Sequence, residues 1–533
     1  MKRFLLILLF VPMVVVAQQP TVRIDHTISI FNDVMRQLDM NYVDTLNYEE
    51  LTNTAINQML RKVDPYTVYY PKQEDDNLKM MTTGKYGGIG ALIQMRELTD
   101  KKGSKETRAY ISLPYEGKPA QRNDVRAGDC ILSVDGWNAK NHPLQEVSNH
   151  LRGVPGSTVK LVLEREGVSK PIIKEFAREE VHLDPVNFYT LFPDSVGYIS
   201  FSEFTSGSAQ AFMMAVSELV DKRGAKALII DLRENGGGIV DEALQILSLF
   251  LPKGTEVVST KGKLPQSCRS YTTSSYPIYP NLPLMVMVNS HSASASEIVA
   301  GSLQDLGRAR LIGERTFGKG LVQNLRPVAY DGHLKVTTAK YYLPSGRCIQ
   351  AIDYAERQKG NELKRDTAGG ILPDIVMTDS QKVDICYSLF LKHMDFDFAT
   401  RYRQTHDSIA SPETFAISSD EIEDFCTFLE ERKFLYETET GKYLHELIKM
   451  AENEDIDSTA MVSLRALETQ LQPSFRDAIY RHLDEVKQML GAAIVERYGY
   501  QKARIAFLLR DDKEVLRARQ ELITNPLIPD IQL

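Results

Sequence analysis

Apolar residues recur at helical spacing between residues 24 and 80. In RIDHTISIFNDVMRQLDMNY, Ile24, Ile28, Ile30, Phe31, Val34 and Leu38 fall near one face, and YEELTNTAINQMLRKVDPY repeats the pattern until Pro65 stops it. The stretch TTGKYGGIG then interrupts with four glycines. From there to about Gly167 the runs shorten into GALIQM, RAYISLP, DCILSVDG and TVKLVLERE, which read as short strands between turn residues. One helical stretch, PLQEVSNHLRG, precedes the last of them. From 169 to 380 the pattern changes again. KALIIDLRENGGGIVDEALQILSLFL is an apolar run, a glycine loop and an amphipathic helix, and LPLMVMVNSHSASASEIVAGSLQDLG is the same unit. Units of this kind predict a parallel sheet buried on both faces. Beyond about 381, stretches such as SDEIEDFCTFLEERKF carry acidic helical stripes and no glycine loop, predicting a separate helical module over 381–533.

Composition narrows the classes. The chain has 533 residues, 43% hydrophobic and 25% charged, enough for three or four domains with real cores. A net charge of −8 with no basic field excludes nucleic acid as a partner. The opening MKRFLLILLFVPMVVVAQQP has a basic start and an apolar run from Phe4 to Ala17. It reads as a secretory signal cleaved after Ala17, with a periplasmic or extracellular destination. Fourteen apolar residues broken by Pro12 are short for a membrane span, so no stable transmembrane anchor is expected. Five scattered cysteines form neither a disulfide framework nor a metal-ligand spacing. No metal and no cofactor are expected.

The serine-rich stretch NSHSASASEIVAG, residues 289–301, carries the first candidate chemistry. Ser294-Ala295-Ser296-Glu297 fits a capping box at the start of a helix. The same position also exposes a serine where helix N–H groups and dipole favour a developing oxyanion. Position alone leaves both readings open. The loop DLRENGGGIV suits a tight turn or an oxyanion equally. GERTFGKGLVQ places Lys319 between two glycines in an apolar neighbourhood, and in an extended chain Lys319, Leu321 and Gln323 point to one side. Gln323 is then placed to hold the lysine amine, and burial is what lowers a lysine enough to act as a base.

These residues together resemble the carboxyl-terminal processing (tail-specific) serine peptidases. The resemblance rests on Ser294 with Ala-Ser-Glu after it, Lys319 in Thr-Phe-Gly-Lys-Gly 25 residues on, and Gln323 four beyond that. DLRENGGG, KYYLPSGRCIQ and VDPYTVYY also match, and VRAGDCILSVDG with LRGVPGSTVKLVLER looks like the family's PDZ domain. The likeness spans roughly residues 30–376, with Gly236 standing where many members have proline. It implies an α/β multidomain protein: a crotonase-like β-β-α spiral catalytic core with an inserted β-rich PDZ domain and helical N- and C-terminal modules. The expected divisions are a signal at 1–17, a helical region at 18–81, PDZ at 82–168, catalysis at 169–380 and helices at 381–533.

The resemblance also implies roles. Ser294 would be the nucleophile, Lys319 the general base and then acid, and Gln323 the group that orients Lys319. The N–H groups of Ala295, Gly237 and Gly238 would form the oxyanion hole. In the PDZ region Gly87, Gly88, Ile89, Gly90, Ala91 and Ile93 would hold a peptide by its C-terminus. Protein or peptide substrates are the expected partners, with homodimerisation through the C-terminal module. Three rivals remain: an inactive PDZ scaffold, a thioester-cleaving enzyme on the same fold, and a Ser–His–Asp enzyme using His182 or His333.

Overall fold

The computed structural model describes residues 21–72, 80, 82–99, 103–358, 369–377, 384–436, 438–454, 456–471 and 474–527. The expected signal at 1–17 lies outside them. The first helical stretch forms α1, Thr21–Asn41, and the second forms α2, Tyr48–Arg61. Asn47 starts α2 by accepting the Glu50 N–H at 3.2 Å, as an N-cap side chain does. Past Pro65 the chain becomes the strand Val68–Tyr70, which pairs antiparallel with Gly332–Tyr342. The end of the N-terminal region is thus part of the sheet that carries Gln323.

The alternating segment forms an antiparallel sheet in the order Ala91–Thr99, Lys105–Pro114, Cys130–Val134, Thr158–Glu164, Ile172–Ala177. The helix Leu144–Leu151 lies against it, burying Val147 and Leu151. This sheet runs past the expected boundary at 168, because Ile172–Ala177 pairs along Thr158–Glu164. Two further segments close the unit, Lys85–Gly88 pairing with Glu179–His182.

The glycine-loop units build a second sheet in the order Val186–Leu191, Val196–Phe201, Ala227–Asp231, Leu284–Val288, Arg310–Gly313, Ile375–Val376. From Val196–Phe201 onward its neighbours are parallel. Every residue of Ala227–Asp231 and Leu284–Val288 is buried, which is why both read as unbroken apolar runs. One face packs on the helix Ser208–Ser217 through Phe212 and on the helices that follow the glycine and serine loops through Ile246, Ile298 and Leu303. The other face is covered by the last helix, Lys513–Thr524, whose Val515, Ala518 and Leu522 pack on Tyr198, Ile229 and Met287.

The helical tail, expected as a separate module over 381–533, touches both sheets. Most of it has a core of its own around Phe398, Phe425 and Ile494, but its last helix completes the catalytic sheet. It also grips the antiparallel sheet. Arg96 reaches out of Ala91–Thr99 to Asp397 at 2.6 Å, with its guanidinium over the rings of Tyr110 and Phe396. Among the described residues no helix is long and apolar enough to cross a membrane.

Candidate active site

Ser294 sits where the buried strand Leu284–Val288 turns into the helix Ala295–Asp305. The capping box forms, with Glu297 accepting the Ser294 N–H at 2.9 Å. An ordinary N-cap keeps extended backbone angles, as Ser418, Thr438, Ser474 and Asp512 do here. Ser294 instead has φ 56° and ψ −114°. A non-glycine residue held there costs on the order of 1–3 kcal/mol, and such strain concentrates at functional sites. Two neighbouring serines are occupied otherwise: Ser292 and Ser296 donate to the carbonyls of Leu232 and Asn235, tying the serine loop to the glycine loop. His291 is on the surface beside Glu234 at 3.1 Å.

Glu297 does more than cap. Its carboxylate is fully buried and accepts from Thr316 Oγ1 at 2.6 Å, Gly318 N–H at 2.8 Å and Lys319 N–H at 2.8 Å, besides Ser294. Burial raises its pKa, and those donors offset only part of the rise. Lys319 is thereby fastened to the serine loop through its backbone. Its amine lies 4.8 Å from the centroid of the Tyr66 ring, and among the described residues it has not closed onto Ser294 Oγ. Burial lowers the Lys319 pKa and the charge of Lys335 lowers it further, while Glu297 and Asp64 oppose the shift. Asp64 holds the Tyr66 turn by accepting the N–H groups of Tyr66 and Thr67 at 2.8 and 2.7 Å.

Gln323 is on the strand Leu321–Val328, and its amide nitrogen donates to Thr337 Oγ1 at 3.3 Å. The pairing with Gly332–Tyr342 shifts register between Val322 and Gln323, with Thr338 the extra residue on the partner strand.

In the glycine loop, the Gly237 N–H already donates to Asn235 Oδ1 at 2.9 Å. What this position needs is the absence of a side chain: a Cβ on Gly237 would lie 2.8 Å from both Ser294 Cβ and Ala295 N, at φ +96°. The N–H of Ala295 is at the same corner, and Gly238, next in the chain, bridges to Phe204. Next to it, Asp231 accepts from Tyr198 Oη at 2.7 Å and pairs with Arg233 at 2.7 Å. Arg233 extends to Asp512 and Glu514, both at 2.8 Å, at the start of the last helix. Sequence reasoning missed Asp231, Arg233, Tyr66 and the long-range bonds of Glu297; the Ser-x-x-Glu spacing was the one available signal for the last.

The PDZ-like groove, about 390 Å³, runs between the strand residues Ile89, Ala91 and Ile93 and the helix residues Leu144, Ser148 and Leu151. The carbonyls of Ile89 and Gly90 accept from Ala120 and Tyr115 in the body of the domain. In a trans peptide the N–H opposes the carbonyl, so the N–H groups of Gly90 and Ala91 point away from that body. Gly87 has a packing reason: a Cβ there would meet the Gly153 carbonyl oxygen at 2.1 Å.

Residues 195–377 match the model of Peptidase family S41, residues 110–165 a PDZ domain, and residues 385–522 the C-terminal helical domain of probable PDZ-proteases. The carboxy-terminal-processing protease of Bartonella bacilliformis is 33% identical over 350 residues, 65% of this chain and 74% of that one. The chain belongs to the carboxyl-terminal processing proteases. The family's representative from Picosynechococcus sp., named carboxyl-terminal-processing protease, is 34% identical over 295 residues, covering 54% of this chain and 68% of its own. Among solved structures, the photosystem II D1 C-terminal processing protease is similar at 29% identity, covering 66% of this chain and 86% of that one with a TM-score of 0.37. As a carboxyl-terminal processing protease of family S41 the chain is a serine-type peptidase.

Proposed function

We propose that the chain is an exported, periplasmic endopeptidase that captures proteins by their C-terminal tails and cuts them with a Ser294–Lys319 dyad on a crotonase-like core. One observation carries the assignment: Ser294 is held at positive φ at a strand-to-helix turn, while Glu297 bonds its backbone and that of Lys319 with one carboxylate.

In this reading neutral Lys319 takes the Ser294 Oγ proton as Oγ bonds the peptide carbonyl carbon. The oxyanion accepts N–H groups from Ala295 and Gly238. Gly237, whose N–H is spent on Asn235, lets the loop approach. Lys319 then gives its proton to the leaving amine, and water releases the acyl group from Ser294. Lys319 closes onto Ser294 from its perch on Tyr66, and Gln323 steadies that strand through Thr337. His291 is beside Glu234, and a lysine base needs no histidine.

The PDZ groove takes the substrate's C-terminus, adding it as a strand, with the terminal carboxylate at the Gly87–Ala91 loop. The groove shares Leu92 and Tyr115 with a larger cleft of about 710 Å³ that reaches Ser202 and Glu203. Glu203 adjoins Phe204, which bridges to Gly238. That continuity supports delivery from groove to catalytic corner. Self-association belongs to this reading too.

The test is cleavage of one peptide with a free C-terminus and of its C-terminal amide, by the wild type and by Ser294→Ala, Lys319→Ala and His182→Ala. Loss of cleavage in the first two variants alone supports the dyad. Loss with His182→Ala and retention with Lys319→Ala overturns it. Equal binding and cleavage of acid and amide removes the tail-reading role and leaves the peptidase.

A further inference from the structure

Five arginines, Arg122, Arg126, Arg165, Arg403 and Arg497, line a cavity of about 340 Å³ between the antiparallel-sheet unit and the helical module. Three carboxylates share its wall, Asp124, Glu166 and Glu496, so the cavity carries an excess of positive charge on a chain whose net charge is −8. Its volume suits a small ligand. Three of the arginines are taken. Arg165 holds Asp129 at 2.6 and 2.8 Å, Arg122 pairs with Glu179, and Arg126 pairs with Asp124 at 2.5 Å. Arg403 and Arg497 are less well served. Arg403 bonds the His406 carbonyl at 3.2 Å and faces the Tyr498 ring, with no carboxylate in ion-pair reach among the described residues.

Arg497 is the more demanding of the two. Its side chain is 4% exposed, and its three bonds are all long: Nε to Thr400 Oγ1 at 3.4 Å, Nη1 to Glu496 Oε2 at 3.5 Å, and Nη2 to the Phe396 carbonyl at 3.5 Å. Among the described residues Glu496 is the one carboxylate within ion-pair reach, and it also faces Arg504 at 3.9 Å. Asp397, on the helix that carries Thr400, is held by Arg96 at 2.6 Å. The Phe396 ring, 4.1 Å from the guanidinium, covers one of its faces. A buried charge needs close partners, and charge-assisted bonds to a guanidinium ordinarily run about 2.7–2.9 Å. The weak pairing leaves burial to pull the Arg497 pKa down to about 10. From this we infer that the cavity binds one small oxyanion, a phosphate or a carboxylate, against Arg497 and Arg403. The site lies where the two units come closest: a Cβ on Gly128, in the opposite wall, would be 2.8 Å from Thr400 Cγ2. The inference is independent of the dyad and of the tail groove.

The experiment is isothermal titration calorimetry on the chain from Gln18 onward, the form left by the proposed export, in chloride buffer at constant ionic strength. Inorganic phosphate is one probe and succinate the other. Saturable binding of one anion per chain is expected with at least one of them, and the tighter of the two says whether the site prefers phosphate or carboxylate. Arg497→Met removes a buried charged donor and is expected to weaken binding about tenfold or more. Arg403→Gln, at an exposed position, is expected to weaken it about threefold, and it decides the matter alone if Arg497→Met does not fold. Arg401→Gln, outside the cavity and paired with Glu431, is expected to leave binding unchanged. Three results overturn the inference: no saturable binding of either probe; binding at wild-type strength in Arg403→Gln or in a folded Arg497→Met; or equal weakening by Arg401→Gln, which would mark attraction to the surface as a whole.

Discussion

The backbone N–H groups of Ser294 and Lys319 donate to the same oxygen, Oε2 of Glu297, at 2.9 and 2.8 Å. Two loops that never touch in sequence are thus registered by one buried atom. Glu297→Ala leaves Ser294, Gly318, Lys319 and Thr316 donors unanswered in a dry interior. The expected cost is about 3 kcal/mol of stability, with cleavage falling about 100-fold or more as the dyad loses register. Glu297→Gln, which keeps the shape but not the charge, should fall between. Denaturant melts and kcat/KM on one peptide substrate check both; a wild-type rate in Glu297→Ala would refute the coupling.

Gly237→Ala places a methyl group 2.8 Å from Ser294 Cβ at a φ of +96°. The serine turn must shift, so kcat is expected to drop about 100-fold with KM little changed. The Cβ would also meet the Ala293 carbonyl oxygen at 2.6 Å in the buried turn, so a loss of stability is expected beside the loss of kcat. Peptide kinetics beside circular dichroism decide it.

Lys319 is lowered first by burial and then by Lys335, whose amine is near Tyr70 Oη at 3.1 Å. A positive neighbour disfavours protonated Lys319, so removing it raises the Lys319 pKa. With Lys319 as the proposed base, the rate is expected to rise as Lys319 loses its proton. Lys335→Met should therefore move the rising limb of the kcat/KM profile to higher pH, and Lys335→Arg should leave it near the wild-type position. A limb that does not move in Lys335→Met removes this residue from the tuning of the base.

Leu522 is buried in the layer beneath the catalytic sheet. Leu522→Ala is expected to cost about 2–4 kcal/mol, as large-to-small changes in a core do. Loss of cleavage should parallel loss of folded protein, with no change in KM. Melting temperature measured alongside activity tests this; a stable variant would show that the last helix is an accessory.

Much of the site was written in short-range pattern. Ser294 and Lys319 each stand in a local motif, and the buried strands before the glycine and serine loops announced themselves as unbroken apolar runs. Gln323 shows the limit of such patterns, because its bond to Thr337 Oγ1 depends on which strand pairs beside it. Tyr66 lies beneath Lys319 only because Val68–Tyr70 pairs with Gly332–Tyr342, hundreds of residues later. The last helix looked like the rest of an acidic tail since its apolar stripe is the same whether it faces other helices or a sheet. Partners that are distant along the chain leave no trace in spacing.

Arg233 and Asp512, 279 residues apart, form one corner of the glycine loop. Synthesis proceeds from the N-terminus, so Ser294 and Lys319 emerge long before Asp512 does. Until then Arg233 has only Asp231 to hold, and the sheet beneath the nucleophile has one naked side. A chain broken off before the last helix would lack both the ion pairs from Arg233 to Asp512 and Glu514 and the cover of that face of the sheet.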